Sequence, residues 1–182
     1  MNKYIEHLKT ITKHKYVVGL LCIKCGFVKR GLLHDLSKYG ITEFVSSAKH
    51  FQGNRSPIDA EKEVRGYSLA WQHHKGHNPH HWEYWIDNVG TKENTPIEIP
   101  YEYVIEMICD WVGAGIVYSK QKPDFNKPYF EPLEYYEAHL NERIFHKNTK
   151  WFLEHYLKII YMFGISRFCK EVKEDKIMFK DY

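Results

Sequence analysis

Apolar residues recur at intervals of three and four along almost the whole chain, a spacing that puts them on one face of a helix and on both faces of a strand. Ile11, His14, Val18 and Leu21 place a helix over roughly Asn2 to Phe27, and Gly31 interrupts the pattern. Gly40 and Thr42 read as a stop followed by an N-cap for a helix over about 43–51. Pro57 and Asp59 open another, over about 58–75, whose face carries Tyr67, Ala70, Trp71 and His74. Asn78-Pro79 marks a turn between Gly76 and His80, with a short aromatic helix over 81–86 after it and a surface connection over 87–100. A long, largely buried helix is predicted over 101–119, then a loop over 120–132, then helices over about 133–146, 149–162 and 165–176. Period-two alternation rich in β-branched residues is absent, so the predicted fold class is all-α.

A length of 182 residues suits one domain, and no repeat or Pro/Gly-rich linker divides it. The net charge of +3, from 26 basic and 23 acidic residues, is too small to argue for a nucleic-acid or membrane surface. The longest apolar run, Tyr16 to Ile23, ends at Lys24, far short of the roughly 20 residues that span a bilayer. Lys3, Glu6, Lys9, Lys13 and Lys15 break up the first fifteen residues, so a secretory signal is not expected and the cytoplasm is the expected compartment. The four cysteines sit mostly in apolar stretches and read as reduced core thiols, Cys22-x-x-Cys25 included.

Histidine is the outlier: there are twelve, five of them between His73 and His81. His14 lies on the apolar face of the first helix. His34-Asp35 follows a glycine within Leu-rich sequence, and Asp110 is flanked by Ile108, Cys109, Trp111 and Val112. A carboxylate in such surroundings is costly to bury without a cation. Each residue alone has an ordinary structural explanation, but together these inward-pointing groups can converge on one metal ion inside a helical bundle.

His14, then His34-Asp35-Leu36-Ser37-Lys38, then Asp110 resembles the H…HD…D signature of the HD-domain metal-dependent phosphohydrolases. The segment His74-Lys75-Gly76-His77-Asn78-Pro79-His80-His81-Trp82-Glu83-Tyr84-Trp85 is similar to one shared by a group of small HD-like proteins from bacteria and their phages. The resemblance covers about residues 10–120 and leaves the C-terminal helices, about 133–176, without a role. It implies an HD-like helical bundle in which His14, His34, Asp35 and Asp110 hold one metal. It also implies that His74 with His80 or His81 holds a second, Asp35 bridging the two. Imidazole and carboxylate ligands suit Mn, Fe, Co, Ni or Zn alike.

Such an ion lowers the pKa of a bound water and neutralises phosphate charge. Lys38, one turn beyond His34-Asp35, is placed to hold a phosphate oxygen, whereas Glu43 reads as a cap for its own helix. The expected activity is hydrolysis of a small phosphate ester, a nucleotide or cyclic nucleotide above all. The competing readings are an HD-fold di-iron oxygenase and a non-catalytic nucleotide- or partner-binding protein. Arg167, Lys170, Lys173, Lys176 and Lys180 are interleaved with acids and read as a solvated face, and Trp71, Trp82, Tyr84 and Trp85 as packing anchors.

Overall fold

The side chain of Asn2 accepts a hydrogen bond from the Tyr4 N–H and opens helix α1 (Lys3–Lys24), whose inner face buries His7, Ile11, His14, Val18 and Leu21. A computed structural model describes residues 2–88, 93–119 and 122–178, and side chains as far as Lys176. Among the described residues there are nine α-helices, and the sole sheet is a two-residue antiparallel ladder, Ile86–Asp87 against Thr95–Pro96. The all-α expectation therefore holds. No helix among the described residues is long and apolar enough to cross a membrane.

The centre of the bundle is α6 (Tyr101–Tyr118), buried without a break from Val104 to Asp110. Helices α1 and α2 (Val28–Leu33) pack on one side of it, α7 (Glu131–Ala138) and α8 (Lys147–Phe163) on another. Helix α9 (Ile165–Met178) closes over α8, with Ile165, Phe168 and Val172 joining Leu153, Tyr156 and Ile160 in the core. Cys22, Cys25, Cys109 and Cys169 all lie buried as free thiols. Helices α4 (Pro57–Arg65) and α5 (Leu69–His77) both pack on α3 (Ile41–His50), which reaches the bundle through α1.

Five local expectations are corrected. Gly31 does not break a helix: it sits inside α2, where its lack of a side chain lets α2 approach α1, and a Cβ there would lie 2.6 Å from the Gly19 carbonyl oxygen. The helix predicted over 58–75 is two helices. Gly66, at φ 77°, takes the left-handed conformation that ends α4, and Ser68 restarts the chain by accepting from the Trp71 N–H as the N-cap of α5. Tyr67, predicted on the helix face, therefore lies exposed in the turn. Helix α3 begins at Ile41 with Gly40 at its N-cap, so Thr42 is not the cap. The aromatic segment after the Asn-Pro turn is a short 3-10 helix, Trp82–Trp85, and the one predicted over 133–146 ends α-helical structure at Ala138 with a 3-10 turn over Leu140–Glu142. Residues 89–92 and 120–121 of the predicted loops, and Lys180 of the basic series, lie outside the described residues.

The close approach at Gly31 is testable. The alanine methyl of Gly31→Ala would meet backbone, which cannot rotate away, so the two helices must separate at a cost of about 1–3 kcal/mol. Thermal unfolding should shift down by several degrees. An unchanged melting temperature would show that α2 is free to move.

Candidate metal centre

Asp35 stands between α2 and the 3-10 turn Leu36–Tyr39 with φ 55° and ψ 25°, and it is the sole non-glycine residue at positive φ among the described residues. That conformation is unfavourable for a residue with a Cβ, though Asp and Asn tolerate it best. Lys15 of α1 fixes the turn from outside, its ammonium donating to the carbonyls of Leu32 and His34 at 2.8 Å each. The result is that two adjacent polar side chains, His34 and Asp35, both point inward and are each only 1% exposed.

Four ligand-type groups from three places in the sequence meet there. His14 Nε2 of α1 lies 2.8 Å from Asp110 Oδ1 of α6, and His34 Nε2 lies 3.4 Å from the same oxygen and 3.2 Å from Asp35 Oδ2. His14 Nε2 is 3.5 Å from Asp35 Oδ2 and 3.4 Å from His34 Nε2. Atoms bound at about 2.0–2.2 Å around a common ion lie about 3–3.5 Å apart, so the four atoms are spaced as one coordination sphere requires.

A second group adjoins the first through the other oxygen of the same carboxylate. His74 Nε2 at the end of α5 and His80 Nε2 beyond the Asn-Pro turn each lie 3.4 Å from Asp35 Oδ1. His81 completes this group, so the turn brings both histidines in where the sequence suggested one or the other. Asn78 secures the turn, its amide donating to the His74 carbonyl at 2.8 Å and to the Ser37 hydroxyl at 2.8 Å.

Two further carboxylates stand behind the histidines. Glu106, one turn before Asp110 on α6, lies 2.9 Å from His34 Nδ1 and 3.2 Å from His80 Nδ1. Glu43 of α3 lies 2.7 Å from His74 Nδ1 and 2.6 Å from His73 Nδ1. An Nδ1–H that donates to a carboxylate leaves the Nε2 lone pair facing the other way, into the cluster. Sequence reasoning missed Glu106, although its i,i+4 spacing to Asp110 puts both on one face of α6. Glu43 does not cap its helix as expected; it is buried against α5.

The electrostatics follow from crowding acids where water is excluded. Burial opposes charge on Asp35, but His34, Lys38 and His74 hold its carboxyl well below the ordinary range. Burial likewise opposes charge on Asp110, and hydrogen bonds from His14 and His34 hold it well below. His34, despite burial, is raised well above the usual imidazole value by Asp35, Asp110 and Glu106. His81 is pushed well below by burial and by its neighbours His80 and His74. Lys38, whose side chain is a quarter exposed, brings its Nζ to 2.5 Å from Asp35 Oδ2.

The residues fit a metal. Asp35 Oδ1 and Oδ2, His74 Nε2, His80 Nε2 and His81 Nε2 are all buried without a hydrogen-bond partner, and all belong to these two groups. Buried polar atoms are almost always paired, so a convergent set of ligand atoms without hydrogen bonds suits a cation. These buried His, Asp and Glu groups can hold a metal ion.

A family model described as "Family of unknown function (DUF5662)" matches residues 3–159, which take in every residue of both groups. Neither the curated proteins nor the solved structures yield a match.

Proposed function

We propose that this chain, which belongs to the DUF5662 family of unknown function, is an HD-like metal-dependent phosphohydrolase with a two-ion site, acting on a small phosphate ester of the nucleotide or cyclic-nucleotide class. The observation that carries the reading is Asp35: both its oxygens are buried, each faces a separate group of histidines, and only Oδ2 has a cation against it, the Lys38 ammonium. One group is His14, His34, Asp35 and Asp110, and the other is Asp35, His74, His80 and His81. Divalent ions held there supply an acidified water and neutralise phosphoryl charge.

The chain's own residues perform the rest. Glu106 and Glu43 hold the rings of His34, His80 and His74 in the tautomer that turns Nε2 inward. Lys38 places its ammonium directly against the cluster while its side chain stays a quarter exposed, so it can leave part of its contact with Asp35 to hold a phosphoryl oxygen. The left-handed backbone at Asp35, held by Lys15, keeps the bridging carboxylate from turning toward solvent.

The test is metal analysis of freshly purified protein together with a phosphatase and phosphodiesterase panel run in Mn and Ni. About two ions per chain and robust turnover of one nucleotide class are expected. His74→Ala should lower the stoichiometry by about one ion while His14, His34, Asp35 and Asp110 retain theirs. Equal stoichiometry in metal-replete wild type and variant would remove the second ion from the proposal, and a silent panel would remove the hydrolase.

A further inference from the structure

Beside the cluster lies a cavity of about 40 Å³ that none of the ligand groups fills. Lys38 and His74 form the wall it shares with the cluster; His7 of α1, Ser47 of α3, Ser56 at the start of α4 and Tyr118 at the end of α6 bring polar groups to it, and apolar side chains of α1, α4 and α5 line the rest. Since one water needs roughly 10–15 Å³ and a cavity near 150 Å³ is needed for a benzene ring, this space suits a few oxygen atoms and excludes a nucleobase.

Several donors stand among its apolar lining. The N-cap Ser56 and the first residues of α4, Pro57 and Ile58, face it; Pro57 has no N–H and the Ile58 N–H donates to the Ser56 hydroxyl oxygen, so this helix end contributes its dipole and not a hydrogen bond. His7 is 3% exposed, and its buried Nδ1 has no hydrogen-bond partner. Burial, then the Lys38 ammonium, lowers the His7 imidazole to about 4, so near neutral pH it is uncharged and carries one N–H to donate. Glu43 is the one carboxylate in the wall, and its oxygens already accept from His73 and His74.

We infer that this cavity is an oxyanion subsite, in which His7, Ser47, the N-terminus of α4 and Lys38 receive a tetrahedral phosphoryl group. The inference rests on the phosphohydrolase reading for its link to turnover, and it adds a specificity: the phosphoryl head is engulfed while any base or sugar must lie outside. The same chemistry accepts the head of a bound ester or a released phosphate ion.

The probe is inorganic phosphate, titrated calorimetrically into metal-loaded protein. Ser47→Val fills the space with a methyl group and removes the hydroxyl, and His7→Phe removes the ring nitrogens at similar size. Each should weaken phosphate about tenfold with metal content unchanged, the loss expected for one or two hydrogen bonds. If the ester's head occupies the cavity, KM for the ester and the inhibition constant of phosphate rise together; if only the product does, the inhibition constant rises alone. Phosphate affinity equal to wild type in both variants, or no phosphate binding by the wild type, would overturn the subsite even if hydrolysis is present. Variant-sensitive phosphate binding without turnover of any ester would keep the subsite and overturn the hydrolase.

Discussion

Asp35→Asn is expected to empty both metal positions at once and to abolish hydrolysis while leaving the helices folded. Asparagine has the same shape as aspartate and shares its tolerance of the left-handed backbone, so φ 55° at this position is retained without new strain. What it loses is the charge and one oxygen of the group shared by the two clusters. Removing a hydrogen-bonding partner behind a metal ligand already costs 10–100-fold in affinity or activity, so loss of a bridging ligand should cost more than about 100-fold for each ion. Metal analysis should fall from about two ions per chain to a small fraction of one, with the far-ultraviolet circular dichroism of the wild type retained. The variant also leaves Lys38 beside a neutral group and Asp110 to face His14 and His34 alone. Retention of wild-type metal content by Asp35→Asn would mean that the carboxylate is a structural acid paired with Lys38, and the two-ion reading would fail.

How much of this centre was legible beforehand depended on how local its determinants are. His14 could be placed because the three- and four-residue spacing around it fixes its face of α1, and Asp110 because its immediate neighbours are apolar. The same logic reaches Glu106 only if Asp110 is already taken as a ligand, since Glu106 alone reads as an ordinary helical acid. Glu43 was misjudged for a different reason. Its position in the first turn of α3 is where acids commonly serve a helix end, and only the packing of α5 on α3, between segments about thirty residues apart, turns it to His73 and His74. Gly66 and Gly31 show the limit for backbone breaks. Both are glycines in helical sequence, yet one supplies a positive φ and the other a close helix contact, and that choice is settled by tertiary packing. His80 and His81 could not be separated in sequence because a residue's direction out of a tight turn depends on how the turn is pinned, here by Asn78 on the His74 carbonyl and Ser37.

Hydrolysis by this centre should proceed without oxygen and with at least one ion other than iron, and Lys38→Ala should lower it far more than it lowers metal content. A site of histidines and bridging carboxylate suits several transition metals, and that ligand set alone does not separate phosphoryl chemistry from oxygen activation. Lys38 separates them. A phosphoryl group gains charge stabilisation from a fixed ammonium, and removing one such donor in enzymes that stabilise a developing oxyanion costs 10²–10³-fold in rate. A loss of about 100-fold in ester turnover is therefore expected. The same ammonium, 2.5 Å from Asp35 Oδ2, competes with any cation for that oxygen, so its removal should leave metal content equal or higher. A merely structural lysine would give the opposite pattern, with metal and activity falling together as the turn at Asp35 loosens. The decisive assays are anaerobic turnover in Mn, Ni or Zn, and oxygen consumption in Fe. Activity confined to iron and accompanied by oxygen uptake, with Lys38→Ala unimpaired on phosphate esters, would replace the phosphohydrolase with a di-iron oxygenase built on the same ligands.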